Sequence, residues 1–212
     1  MNKILRIAAL LALTAAADLH AATANYCGEL ANSYGPYDYR RRAEFQQNVN
    51  LVEMAHFTPD VEYGIKGATG TLGGDLDYTL RAIPNHHRAL NTLITLAQRE
   101  RGVQVTGMRY PVECWFNRAL RFTPDDANVY AVYGSYLFSL GKTDEAAALF
   151  KQGAAVEPEN ATINYNLGLV SLKQGDFEQA RAYAKKAYDA GFPLPGLKNK
   201  LAEAGQWEDK AD

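Results

Sequence analysis

The chain has 212 residues, 47% of them hydrophobic and 22% charged, which suits one ordinary globular domain. Its 22 basic residues are outweighed by 24 acidic ones, for a formal net charge of −2. A protein that binds nucleic acid must neutralise phosphates with a basic surface, so nucleic acid is not an expected partner.

The first predicted element is a leader. Lys3 and Arg6 precede an apolar run from 7 to 17, and Ala22-Thr23-Ala24 forms a small-x-small cleavage site. This is the pattern of a secretory signal peptide over 1–24, with an apolar run too short for a typical membrane span. Cleavage is expected after Ala22 or Ala24. The mature chain is then periplasmic or secreted, with no membrane insertion. Asn25-Tyr26 lacks the small, apolar residues that precede a lipidated cysteine, which argues against lipidation at Cys27.

Cys27 and Cys114 are the two cysteines of the chain, an even number in an oxidising compartment. Neither belongs to a C-x-x-C motif. The expectation is a structural disulfide, against an alternative of two buried free thiols.

Residues 25–84 read as an irregular helical extension. Residues 26–38 hold Gly28, Gly35, Pro36 and several tyrosines, as an ordered loop does, and a helix is expected over 39–57. Arg40-Arg41-Arg42 lies in its first turn, the wrong end for the helix dipole. Such a run is either a solvated face with local acidic partners or the mark of an anionic partner. Thr58-Pro59 starts a short helix to about Tyr63. Residues 64–74 carry glycines at nearly every third position and read as a flexible connection, since the Gly-Lys-Ser/Thr ending of a phosphate loop is missing. A helix over 75–83 then ends at Pro84.

With Asn85 as cap, a helix over 86–101 carries Leu90, Leu93, Ile94 and Ala97 on one face. A second over 111–122 carries Trp115, Phe116, Ala119 and Leu120. Together 85–126 form a degenerate repeat with an insertion near 102–108. Two closer copies follow, at 127–160 and 161–192. A shift of about 34 residues carries Gly134 to Gly168, Gly141 to Gly175 and Ala146 to Ala180. In the first copy Tyr130, Tyr133, Leu137 and Leu140 make a helical stripe, Gly141 ends the helix, and Thr143 opens a second one bearing Ala146, Phe150 and Ala154. The second copy repeats this with Leu167, Gly168, Leu172 and Gly175, then a D-x-x-Q capping box at Asp176 and Gln179. Residues 193–212 supply a capping helix with Leu197 and Leu201, then a tail whose last residues, 208–212, are expected to be disordered.

This pattern resembles the tetratricopeptide repeat family, on Tyr130, Tyr133, Gly134, Leu137, Gly141, Ala146, Phe150 and Pro158, then Leu167, Gly168, Gly175, Ala180 and Ala187. Asn164, Gly153 and Phe192 depart from it. The resemblance implies an all-α fold, a right-handed superhelix of helix-turn-helix repeats between the extension and the cap. It also implies a concave groove that receives a peptide or partner helix. Carried over by position, the groove presents Arg88, Asn91, Thr95, Gln98 and Arg99, then Asn128, Ala131, Ser135 and Phe138, then Thr162, Tyr165, Leu169, Leu172 and Lys173. That mix suits a segment with some acidic character, and the lysine and asparagine set that clamps a C-terminal carboxylate is not visible.

No H-E-x-x-H, G-x-S-x-G or Walker pattern occurs, so the expectation is a non-enzymatic scaffold of the cell envelope, without cofactor or metal. The alternative is a small-ligand or metal-binding protein centred on the glycine-rich loop and His86/His87, with His56, Asp75 and Asp77 as further donors. Adjacent histidines on a helix diverge by about 100°, which makes them poor joint ligands.

Overall fold

The structure, a computed structural model, describes residues 26–207. The signal peptide expected over 1–24 and the tail expected over 208–212 lie outside them. The described residues form ten α-helices and one 3₁₀ turn, with no strand. The chain divides into two compact units, the first ending at Arg118 and the second starting at Ala119.

In the first unit the expected helix over 39–57 is a 3₁₀ turn, Tyr39–Arg41, followed by α1, Gln46–His56. Asp38 holds the start of the turn by accepting from the Arg40 backbone, and its carboxylate pairs with the Arg40 guanidinium at 2.7 Å. Arg41 pairs with Glu44, and Arg42 with Glu53 at 2.7 Å. The arginine run therefore has local acidic partners. Val49 and Val52 of α1 pack with Ala82 and Ile83, and Tyr34, Tyr37, Tyr39, Phe45 and Tyr78 close around them. The tyrosine-rich loop is ordered because its rings enter this cluster while the Tyr34 and Tyr37 hydroxyls accept from Asn48.

Helix α2 is Pro59–Glu62, and α3 is Leu72–Ala82. The glycine-rich stretch is thus no simple flexible connection: its end is the first turn of α3, capped by Thr71, whose hydroxyl accepts from the Gly74 amide. Its middle folds around the buried Asp75, which accepts from the Ala68 amide at 2.6 Å, the Thr69 amide at 3.0 Å and the Thr69 hydroxyl. Gly73 allows the close approach of the 101–111 loop, since a Cβ there would stand 2.1 Å from the Thr106 carbonyl oxygen.

Helix α4, His87–Glu100, is capped by His86 and not by Asn85. Asn85 instead ties α4 to the 3₁₀ turn, accepting from the Tyr39 amide and donating to Asp38. Helix α5 is Val112–Phe122. The Cys27–Cys114 disulfide fastens the start of the described chain to it, and Arg118 donates to the Cys27 and Glu29 carbonyls at 3.2 and 2.6 Å.

The second unit contains the two close copies as helical hairpins: α6, Ala127–Ser139, with α7, Thr143–Val156, then α8, Ala161–Lys173, with α9, Phe177–Asp189. Asp126, Asn160 and Asp176 cap α6, α8 and α9, each accepting one backbone amide of the first turn. Thr143 is inside α7; the cap position belongs to Lys142, and no side chain caps that helix. Gly141 and Gly175 both sit at φ +79°, the left-handed conformation that turns one helix into the next.

Two of the three departures from the family pattern, Asn164 and Gly153, have local reasons. Tyr130 donates its hydroxyl to the Pro124 carbonyl at 3.0 Å, and 34 residues later the buried Asn164 donates to the Pro158 carbonyl at 2.8 Å. A shorter side chain makes the same bond. A Cβ on Gly153 would stand 2.6 Å from Ile163, so the α8 side chain occupies that space. Helix α10, Gly196–Glu203, closes the unit as Leu197 and Leu201 join Ala180 and Ala184, with Tyr188 and Trp207 alongside.

Candidate functional site

The residues assigned to a groove fall in both units. On α4, Arg88 makes a two-pronged bond to Glu62, with its guanidinium 5.4 Å from the Phe57 ring centre. Arg99 donates to the Gly64 carbonyl at 2.7 Å, and Thr92 to the Glu62 carbonyl at 2.8 Å. Helix α2 and the turn after it therefore lie against this side of α4, and both arginines are engaged within their own unit. Asn91 and Thr95 stay exposed, bonded to backbone carbonyls one turn earlier in α4.

In the second unit the assigned positions on α6 and α8 come together. The Lys173 ammonium lies 5.0 Å from the centre of the Phe138 ring. Ser135 accepts from Asn166, a residue not among the assigned positions, at 3.4 Å. Asn128, Thr162 and Lys173 are exposed, while Ser135, Phe138 and Asn166 are half-buried. The result is a seam of one aromatic ring, amides, hydroxyls and one cation. Tyr165 and Leu169 are half-buried and pack on the α10 cluster, and Tyr165 stacks on Phe192 with ring centres 4.0 Å apart. Burial pushes the Tyr165 phenol above its ordinary pKa, helped by nearby Tyr188, and the Leu197 backbone amide, donating to its hydroxyl, opposes the shift.

Of the histidine and aspartate donors of the alternative reading, His56 and Asp75 meet each other, while His86 and Asp77 have other partners. His86 is fully buried, stacked on Tyr39 at 4.1 Å, and bonded to Glu53 at 3.1 Å. His56 bonds to Asp75 at 2.8 Å and stacks on Tyr78. Asp77 pairs with Arg81 and Arg109. Among the described residues no group of three His, Cys, Asp or Glu side chains has the arrangement of a metal site. The partners Glu53 and Glu62 were missed in the sequence because each lies 26 to 33 residues from the side chain it meets. Asn166 had a signal, lying four residues after the exposed Thr162.

Residues 134–193 match the family model of the tetratricopeptide repeat. No curated protein matches the chain. Among solved structures the chain is similar to pilF of Pseudomonas aeruginosa, at 19% identity and a TM-score of 0.54, over 78% of this chain and 72% of that one. It is also similar to a thermophilic TPR protein of Thermus thermophilus, at 19% identity and a TM-score of 0.52, over 79% of this chain and 87% of that one. At these identities the likeness is one of fold, and it agrees with the all-helical architecture. The matched segment starts inside α6, so the degenerate unit expected over 85–126 lies outside it.

Proposed function

We propose that this chain, with its tetratricopeptide repeats over 134–193, is a non-enzymatic interaction module of the cell envelope. It receives a peptide or partner segment on the α6/α8 side of the second unit. The observation that carries this reading is the seam in which Lys173 lies over Phe138 and Asn166 bonds Ser135. A half-buried ring offers apolar contact to a docked side chain, the Asn128 amide has both a donor and an acceptor for peptide backbone, and Asn166, whose amide hydrogens go to Ser135 and the Thr162 carbonyl, offers its Oδ1 as an acceptor. Lys173, exposed at the end of α8, favours an acidic residue in the partner.

Export is part of the proposal. The Cys27–Cys114 disulfide supports it, because such bonds form and persist in oxidising compartments. With 1–24 removed as a leader, Cys27 stands close to the mature N-terminus, where it anchors the start of the chain.

The test is affinity capture from envelope extract with residues 25–212 as bait, beside a Phe138→Ala/Lys173→Glu variant. A photo-crosslinking residue at Asn166 identifies contacts to the seam, and one at the exposed Lys186 on α9 serves as control. A partner held by the parent bait, crosslinked from 166 and lost by the equally helical variant is the expected result. Equal retention by both baits overturns the assignment to this face.

A further inference from the structure

A trough of about 320 Å³ lies between α7 and α9, floored by α8. Helix α7 lines it with Asp144, Ala147, Ala148 and Lys151, positions spaced three and four apart and so on one stripe. Tyr183 stands on the α9 side. The α8 residues of the floor, among them Leu167 and Val170, differ from those of the seam, so the trough opens on another side of that helix.

Two observations make the trough more than a packing gap. The first is internal to the repeat. The counterpart of Ala147, 34 residues on, is Arg181, whose guanidinium donates to the Gln206 side chain at 2.7 Å and bridges α9 to the segment after α10. A long side chain spans the gap in the second copy. Alanine leaves it open in the first.

The second observation is charge. Asp144 stands at one end, with its carboxylate oriented by the Gln174 amide at 3.3 Å, and Asp176 is also at that end. Lys151 stands two turns further along α7 and makes no ion pair among the described residues. Seven residues of helix rise about 10 Å, the length of about three residues of extended chain.

We propose that this trough docks a short extended segment of a protein partner, with a cationic side chain at Asp144 and an anionic one about three residues away at Lys151. The apolar side chain between them meets Ala147 on the α7 wall and Leu167 and Val170 on the floor, with Tyr183 flanking it from α9. This surface is independent of the α6/α8 seam.

A random heptapeptide display library panned on residues 25–212 tests it, with Ala147→Arg as a trough-filled counterpart and Lys151→Glu as an exposed-site counterpart. Thermal melts establish that both variants fold. The expected result is enrichment of peptides with a basic and an acidic residue about three apart. These peptides bind each variant at least about tenfold more weakly, and bind Phe138→Ala/Lys173→Glu unchanged. The Asp144→Lys/Lys151→Asp double variant should select the reversed charge order. No enrichment, equal binding to the trough-filled protein, or a motif indifferent to the charge swap would overturn the proposal.

Discussion

His86 combines a cap and a buried hydrogen bond in one ring. Its Nδ1 accepts from the Ala89 amide at 3.1 Å, so in the neutral ring the proton sits on Nε2 and is donated to Glu53. Burial pushes the imidazole below its ordinary pKa of 6.5; the Glu53 hydrogen bond opposes that shift, and the nearby Arg88 and His87 charges add to it. The unfolded chain therefore takes up a proton below about pH 6.5 that the folded chain refuses, and stability falls as pH drops through that region. Glu53 acts in the same direction at lower pH. The His86 hydrogen bond, foremost among several, holds it below its ordinary 4.5, so it stays ionised in the fold while the unfolded chain protonates. Urea midpoints should decline from about pH 6.5 downward, and His86→Gln should flatten the part of that decline above about pH 5. An unchanged slope in the variant would remove His86 from this role.

Between helices, the small residues decide how closely each hairpin closes. A Cβ on Gly134 would stand 2.4 Å from the Phe150 ring, whereas one on Gly168 would meet Leu197 of α10 at the same distance. The counterpart of Phe150 in the second copy is Ala184, fully buried, and the room it leaves is taken by the capping helix. Gly134→Ala should therefore destabilise the protein by about 1–3 kcal/mol in chemical denaturation, because overpacking outweighs the helix-propensity gain of about 1 kcal/mol. Phe150→Leu in the same background should recover part of the loss. A stabilised Gly134→Ala protein would mean that the ring swings aside at no cost.

On the scale of the whole molecule, the two units are held by different means. The second rests on repeated local devices: caps, left-handed glycines and alanine-lined hairpins. The first depends on distant ties, among them a disulfide spanning 87 residues, which in the chain-entropy view contributes up to about 4–5 kcal/mol. Reduction should raise hydrogen exchange over 26–38 and expose two reactive thiols, where the denatured but unreduced protein has none. Two reactive thiols before reduction would deny the bridge in the protein as isolated. Protein recovered from the envelope fraction should begin at Thr23 or Asn25 by N-terminal sequencing. Recovery with Met1 in place would oppose the export proposal.

The two hairpins of 127–192 were legible in the sequence because their determinants are local. A 3.6-residue stripe, a capping Asp or Asn and a glycine after the last turn act within one or two helical turns. Even there, Asn164 reads as a departure until its amide is seen on the Pro158 carbonyl, the bond that Tyr130 makes to Pro124. The N-terminal third was legible only in outline. The folding of the glycine-rich stretch around Asp75, the packing of α2 against α4 and the seating of His86 on Glu53 join residues six to 33 positions apart. The same holds for the candidate binding surfaces. Position along a helix indicated Phe138 and Lys173, but whether a side chain faces a partner or a neighbouring helix depends on what packs beside it. For Arg88, Arg99 and Tyr165, tertiary packing decided that they are engaged within the fold.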